Sequence, residues 1–398
     1  MTTTEHALGN ARDWPQDELA RLDEQGLRRH LHPVASAAAA WTDASGRRWL
    51  NLASNDYLGM ATDEDIAAAA ARALTQDGAG AAASRLVTGT LPAHVALERE
   101  LAEFLGQPRA LVFGSGYLAN LGVLDALCDR RSVVFGDRLN HASLIDGVRL
   151  AGARLQRYDH NDCDHLVELL RRHAFADGRR PIIVTDSVFS MDGDQAPLAD
   201  LATIAAEHDA LLVVDEAHAL GVLGPRGRGL CADAGIHADV ITGGFGKALG
   251  GYGGFAATSE PLAEYFINRA RTLVYSTGLP PASVASVHAA LRRIRDRQGE
   301  LGITLMQRVR AFRDALGAAG LELAEPESAI LPIPVGDNHR ALAMAEALHD
   351  RGIICSAIRP PTVPAGTARL RATVTLGHSP DMLAGAASTL GEVAVHAG

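Results

Sequence analysis

From about residue 95 onward, short apolar runs recur along the chain. Each is followed by turn residues and then by a helical stretch. The runs lie at 110–113, 133–135, 182–185, 211–214 and 240–242. Strands this uniformly apolar are buried on both faces, and their alternation with helices predicts a mostly parallel sheet in an α/β fold. Ligands in such sheets bind beyond the carboxyl ends of the strands. Asp186, Asp215, His218 and Lys247 all fall at or just after those ends.

The flanking regions read differently. Residues 16–31 have Leu19, Leu22 and Leu27 spaced for one face of an amphipathic helix. Two short runs on either side of Gly46 predict a hairpin over 41–52. Residues 285–320 read as a long helical connection. Beyond it, runs at 330–335, 353–358 and 369–374, a helix near 338–350 and a last helix from Ser379 predict a smaller α/β layer. Ser379-Pro380 fits a helix start, serine capping and proline in the first turn. The expected organisation is an N-terminal helix and hairpin (1–52), a large ligand-binding domain (53–290) and a small C-terminal domain (291–398).

Composition narrows the class. The 398 residues are 47% hydrophobic and 21% charged, as in ordinary globular proteins. A net charge of −10 leaves no nucleic-acid footprint, and the basic cluster at Arg171, Arg172 and His173 reads as a solvated helix face. Cys128, Cys163, Cys231 and Cys355 are far apart and form no CxxC pair, so they read as reduced thiols of a cytoplasmic protein. The start, Met1-Thr-Thr-Thr-Glu-His6, is polar and has no signal pattern, and no apolar run is long enough to span a membrane.

Candidate chemistry concentrates at the strand ends. Lys247 lies in Thr242-Gly-Gly-Phe-Gly-Lys-Ala-Leu-Gly-Gly251, a glycine loop after one apolar run, while Asp215 ends the run before it. A carboxylate and a loop lysine so placed point to pyridoxal phosphate (PLP). The lysine amine forms a Schiff base, and the aspartate keeps the pyridinium nitrogen protonated. Phe113-Gly-Ser-Gly-Tyr117 joins a strand to a helix near Leu118, and backbone amides at such a helix start bind phosphate. It is not a dinucleotide fingerprint, because no third glycine follows at the right offset. Ala248 after Lys247 likewise excludes a nucleotide P-loop. His141 reads either as a ring stacked on a planar cofactor or as a helix cap. Asp186 and Ser190 lie in a strand-end loop where local backbone bonding is the alternative. Asp215 and His218 lack a third ligand nearby, so no metal is expected. Arg371 follows a proline-stiffened loop. It suits capture of a substrate carboxylate, or else belongs to a surface strand with alternating arginines.

Taken together, Ser54-Asn-Asp-Tyr-Leu-Gly59, Ser84-Arg-Leu-Val-Thr-Gly89, Asn140-His-Ala-Ser143, Val188-Phe-Ser-Met-Asp-Gly193, Asp215-Glu-Ala-His218, Phe245-Gly-Lys-Ala-Leu-Gly250 and Tyr275-Ser-Thr277 resemble the α-oxoamine synthases, PLP-dependent transferases of fold type I. The resemblance runs from about residue 20 to the end. It implies that Lys247 carries the Schiff base, that Asp215 pairs with the ring nitrogen, and that His218 and Ser190 approach the phenolic oxygen. His141 would stack on the ring. Gly116 and Tyr117 would hold the phosphate, with Ser276 and Thr277 supplied by the second subunit of a homodimer whose active sites lie at the interface. Arg371 and Asn55 would take the amino-acid carboxylate, and Arg28 and Thr362 would line the acyl site. The segment from Ala357 to Arg371 most resembles the branch of biotin biosynthesis that joins L-alanine to a pimeloyl thioester of coenzyme A or acyl carrier protein. Rival expectations are a glycine-using acyltransferase and a catalytically silent binding protein. One position departs from the family: Gly244 stands where a threonine or serine is usual, three residues before the lysine. A phosphate hydrogen bond would then be lost, or be supplied by Thr242, water or the neighbouring subunit.

Overall fold

The structure, a computed structural model, describes residues 14–173 and 181–396, so the polar start at Met1 to His6 lies outside the described residues. The chain opens with α1 (Trp14–Glu24), β1 (Ala40–Thr42), β2 (Arg48–Asn51), α2 (Glu64–Asp77) and α3 (Pro92–Leu105). Helix α1 stops short of the expected residue 31. Gly26 takes a φ of 62°, and Leu27 N turns back to the Leu22 carbonyl at 2.7 Å. No residue of this helix is fully buried, and of its leucines Leu22 is half-buried while Leu19 is exposed.

The central region runs β3 (Arg109–Phe113), α4 (Gly116–Leu127), β4 (Val133–Asp137), α5 (Ala142–Leu150), β5 (Arg154–Tyr158), α6 (Cys163–Arg171), β6 (Ile182–Asp186), α7 (Leu198–Glu207), β7 (Leu211–Asp215), α8 (Leu230–Asp233), β8 (Val240–Gly244) and β9 (Gly254–Thr258). Its seven strands lie in the order β3-β9-β8-β7-β6-β4-β5. Only β9 is antiparallel to its neighbours. Successive residues of the inner strands enter opposite layers. Val134, Val213 and Val240 pack with Ala119, Val123 and Leu144 on one side. Phe135, Val214 and Ile241 pack with Leu101 and Leu201 on the other. That two-sided burial is why these strands read as unbroken apolar runs.

The remainder comprises α9 (Glu260–Arg269), α10 (Arg271–Val274), α11 (Pro281–Asp296), α12 (Glu300–Ala318), β10 (Ile330–Gly336), α13 (Asn338–His349), β11 (Ile353–Ile354), β12 (Ser356–Ile358), β13 (Ala368–Thr373) and α14 (Pro380–His396). The long connection expected over 285–320 is two helices, broken where Gln298 and Gly299 take φ of 48° and 92°. The run at 353–358 divides as well. β11 pairs in parallel with β2, while β12 joins the antiparallel order β10-β13-β12. Residues 40–51 therefore share a sheet with residues 353–354. Ser379 Oγ caps α14, accepting from Met382 N at 3.2 Å. All four cysteines are free thiols. No helix among the described residues is long and apolar enough to cross a membrane.

Candidate active site

Asp186 and Asp215 end adjacent parallel strands and are paired in register, with Thr242 next to Asp215 on β8. The glycine loop after β8 folds over these ends. Phe245 N donates to the Gly253 carbonyl at 3.0 Å, Gly251 N to the Phe245 carbonyl at 2.9 Å, and Gly250 N to the Lys247 carbonyl at 2.8 Å. Gly250 has a φ of 59°, and a Cβ there would lie 2.3 Å from Ala61 N, so only glycine closes the loop. Lys247 is thereby held in a cavity of about 270 Å³ lined also by Asp186, Asp215, His218 and His141. The expected strand-end residues converge.

Asp215 is 5% exposed and firmly held. One carboxylate oxygen accepts from Ala217 N at 2.8 Å, the other from Asn120 Nδ2 at 2.7 Å. Asn120 also donates to Ser143 Oγ at 2.8 Å and accepts from Thr242 Oγ1 at 2.6 Å. His141 Nδ1 lies 2.7 Å from Ser143 Oγ and accepts from Ser143 N at 3.3 Å. With the serine hydroxyl donating, the neutral ring carries its proton on Nε2. His141 is thus a helix cap and a cavity residue at once. Asp186 accepts from His141 N at 2.7 Å.

Burial sets the charges here. It pushes the Lys247 ammonium below the usual lysine range, opposed by Asp215 and Asp186. It raises Asp186 well above the carboxylate range, helped by the neighbouring Asp215. It lowers His141, and it lowers His218 strongly, with Lys247 and Arg371 adding to the latter effect. The shift favours the nucleophilic free amine relative to an exposed lysine.

His218 Nδ1 meets the Tyr57 hydroxyl at 2.5 Å, and burial raises that phenol to about 12. Arg371 is not on a surface strand: it is 5% exposed, fixed through Nε to the Ser190 carbonyl at 2.6 Å, through Nη1 to Thr373 Oγ1 at 3.1 Å and through Nη2 to Asn55 Oδ1 at 3.2 Å. Asn55 lines the cavity, which brings the arginine to its edge. The Ser190 side chain is not among the cavity-lining groups. Its carbonyl accepts from Arg371, because the backbone of its loop turns toward β13. Tyr57 and Asn120 were not singled out from sequence. Asn120 carried a signal, as a polar residue inside the apolar helix α4.

The opposite end of the cavity is a backbone cradle. Gly116 and Tyr117 open α4, where amides lack helical acceptors, and Ser115 Oγ caps Leu118 N at 3.1 Å. A Cβ at Gly116 would lie 3.0 Å from Gly244 Cα, so the two segments meet closely there. This cradle, the lysine and the buried aspartate fit a phosphorylated pyridine aldehyde. Gly244 itself lies outside the left-handed region, and a Cβ on it would meet nothing nearer than Gly116 Cα at 3.8 Å. Thr242 cannot replace the missing hydroxyl, because its own is bonded to Asn120. Tyr117 donates to Asp146 at 2.8 Å. Thr277 bridges Ser84, and neither it nor Ser276 lines the cavity of the single chain. Arg28 pairs with Asp23 at 2.5 Å, and Thr362 Oγ1 accepts from Arg29 at 3.3 Å, both outside the cavity.

The aminotransferase class I and II family model matches residues 47–390. The 8-amino-7-oxononanoate synthase of Alkalilimnicola ehrlichii is 46% identical over 379 residues, covering 94% of this chain and 96% of the relative. Among solved structures, a serine palmitoyltransferase from S. paucimobilis with a bound PLP–myriocin adduct superposes with a TM-score of 0.89 at 31% identity, over 97% of this chain and 98% of its own. An 8-amino-7-oxononanoate synthase from Francisella tularensis superposes with a TM-score of 0.74 at 30% identity, over 87% and 98%.

Proposed function

Because the chain belongs to the class I and II aminotransferase family, we propose that it is a PLP-dependent acyltransferase that condenses L-alanine with a pimeloyl thioester. The products are 8-amino-7-oxononanoate, carbon dioxide and the free thiol of coenzyme A or acyl carrier protein, and the product feeds biotin biosynthesis. One observation carries the chemistry: Lys247 and Asp215 face a single cavity, the lysine's charge disfavoured by burial and the aspartate held by two donors. The 46% identity to a synthase of that product supports the choice of alanine and a pimeloyl group.

Bound PLP supplies an electron sink for the carbanion formed at the α-carbon. Lys247 holds the cofactor through Nζ and moves the α-proton. Asp215 keeps the ring nitrogen cationic. His141 would cover one face of the bound ring, and His218, braced by Tyr57, would approach its phenolic oxygen. Gly116, Tyr117 and Gly244 cradle the phosphate, joined by Ser276 and Thr277 of a second copy. Arg371 and Asn55 hold the amino-acid carboxylate, an orientation supported by the three bonds on the guanidinium. Arg28 and Thr362 flank the acyl path. A homodimer is supported by tyrosines left exposed by the single chain, Tyr252 at 62% and Tyr275 at 73%. We place the enzyme in the cytoplasm on its free thiols.

The test is a matrix of alanine, glycine and serine against pimeloyl, acetyl and long-chain thioesters, with product read by mass spectrometry. Alanine with the pimeloyl group is expected to give the highest kcat/KM. Faster turnover of glycine with acetyl, or of serine with a long acyl chain, would replace this reading.

A further inference from the structure

Away from the cavity, a second group of ionisable side chains ties two loops together. Strand β4 ends in Asp137, which is 2% exposed. Its carboxylate accepts from Leu139 N and Asn161 N, each at 2.8 Å, and meets His160 Nδ1 at 3.0 and 3.1 Å. The other ring nitrogen, His160 Nε2, meets Asp194 Oδ2 at 2.6 Å. Asn161 Nδ2 donates to the same Asp194 oxygen at 3.2 Å and to the Gln195 carbonyl at 3.0 Å. The imidazole stands edge-on to Phe189, with centroids 4.4 Å apart and planes at 86°. A ring whose two nitrogens both face carboxylates donates from both, and so carries a positive charge. Burial opposes that charge, but the bonds to Asp137 and Asp194 outweigh it and hold the pKa at about 10.

Asp194 belongs to the tight loop that follows β6. Val188 bridges Gln195, and Phe189 N donates to the Asp194 carbonyl at 3.0 Å. The far side of this loop meets β13. There the Ser190 carbonyl accepts from Arg371 Nε at 2.6 Å, and Asp192 pairs with Arg369. One side of the loop is therefore fixed by His160 and the other holds two arginines. His160 itself lines no part of the Lys247 cavity.

We propose that His160 is a positioning residue for the amino-acid carboxylate: by bridging Asp137 to Asp194 it fixes the 187–195 loop, so that the Ser190 carbonyl aims Arg371 at the substrate. The inference rests on the reading of Arg371 as the carboxylate-binding cation. It concerns orientation, to which productive binding is steeply sensitive.

The experiment compares L-alanine with L-alaninamide, which keeps the amine and methyl group but lacks the carboxylate. Dissociation constants are read from the change in cofactor absorbance of the holoenzyme. His160→Gln removes the bridging charge, and Asp194→Asn removes only the loop end of the clamp. Both variants are expected to weaken L-alanine about tenfold and to change L-alaninamide by less than about twofold, the cost of a misaimed guanidinium alone. If the wild type does not prefer alanine to its amide, the reading of Arg371 fails. If the wild type does and the variants keep that preference, the inference about His160 fails. Equal weakening of both ligands, or loss of folding or cofactor in both variants, also overturns it, because the clamp is then a general support.

Discussion

Thr242 donates its hydroxyl to Asn120 Oδ1 at 2.6 Å, and the same asparagine's amide donates to Asp215 Oδ2 at 2.7 Å. The first bond orients the second. A side-chain amide is nearly symmetric in shape, and the threonine proton keeps its oxygen on one side and its NH2 toward the carboxylate. A residue outside the cavity lining thus sets the environment of the carboxylate proposed to hold the ring nitrogen.

Thr242→Val keeps the shape and removes that proton. Asn120 Oδ1 is then buried without a partner, at a cost of about 1–3 kcal/mol. A lower melting temperature is expected, with slower exchange of the alanine α-proton and near-normal PLP content. Deuterium exchange followed by NMR checks it. An unchanged exchange rate would show that Asp215 does not depend on this relay.

Lys247→Ala is expected to abolish turnover and to leave no borohydride-reducible link to the cofactor. A variant retaining both would remove the lysine from its role. In the wild type, burial lowers the Lys247 pKa, so the free amine is available at a lower pH than for an exposed lysine. The pH dependence of the rate at which PLP adds to the apo-protein checks that direction.

Asp215→Asn is expected to slow α-proton exchange by orders of magnitude and leave the fold intact. A neutral amide accepts no charge-assisted bond from a protonated ring nitrogen. Near-wild-type exchange, measured on correctly folded protein, would count against the assignment.

Gly244→Thr tests the empty corner of the cradle. The position has an ordinary backbone conformation and room for a Cβ. The added hydroxyl supplies a bond to a charged group worth about 1.5–3 kcal/mol, so PLP should bind roughly ten- to hundredfold more tightly. The apo-protein should melt at an unchanged temperature. Weaker binding with a lowered apo-melt would show that the backbone requires glycine here.

The His160 clamp makes stability depend on pH. Its folded-state pKa of about 10 lies above the usual histidine value of 6.5. Its contribution is therefore fully present below about pH 6.5 and is lost as pH rises through 10. The groups facing the ring are Asp137 and Asp194. Melting temperatures of the wild type and His160→Gln should differ most near pH 6 and converge above pH 10. A difference independent of pH would mean that the ring is neutral.

Much of the cavity was legible because its key groups sit at strand ends. Apolar runs mark buried parallel strands, the residues after them mark the ligand side, and Asp186, Asp215 and Lys247 follow directly. β5 was missed because its Arg154-Leu-Gln-Arg-Tyr158 run is partly exposed, and β9 because Gly254-Phe-Ala-Ala-Thr258 is made mainly of small residues. The Tyr57–His218 contact joins residues 161 positions apart, a distance no local pattern spans. Ser190 was read for its hydroxyl; the bond its carbonyl makes to Arg371 was not legible, because backbone direction leaves no trace in side-chain type. The break in the helical run at 285–320 was marked only by Gly299, and a lone glycine is tolerated inside a helical pattern; Gln298 reaches positive φ without being glycine.

The parallel pairing of β2 with β11 orders the birth of the molecule. Leu50 N donates to the Gly352 carbonyl and Leu52 N to the Ile354 carbonyl, each at 2.8 Å. Strand β2 must therefore wait until residues 352–354 have left the ribosome. The seven central strands are complete by Thr258 and need no such partner. The nascent N-terminal hairpin carries an unpaired edge in the meantime. Chains truncated before residue 352 keep that edge open for good, and their aggregation is the mark it would leave.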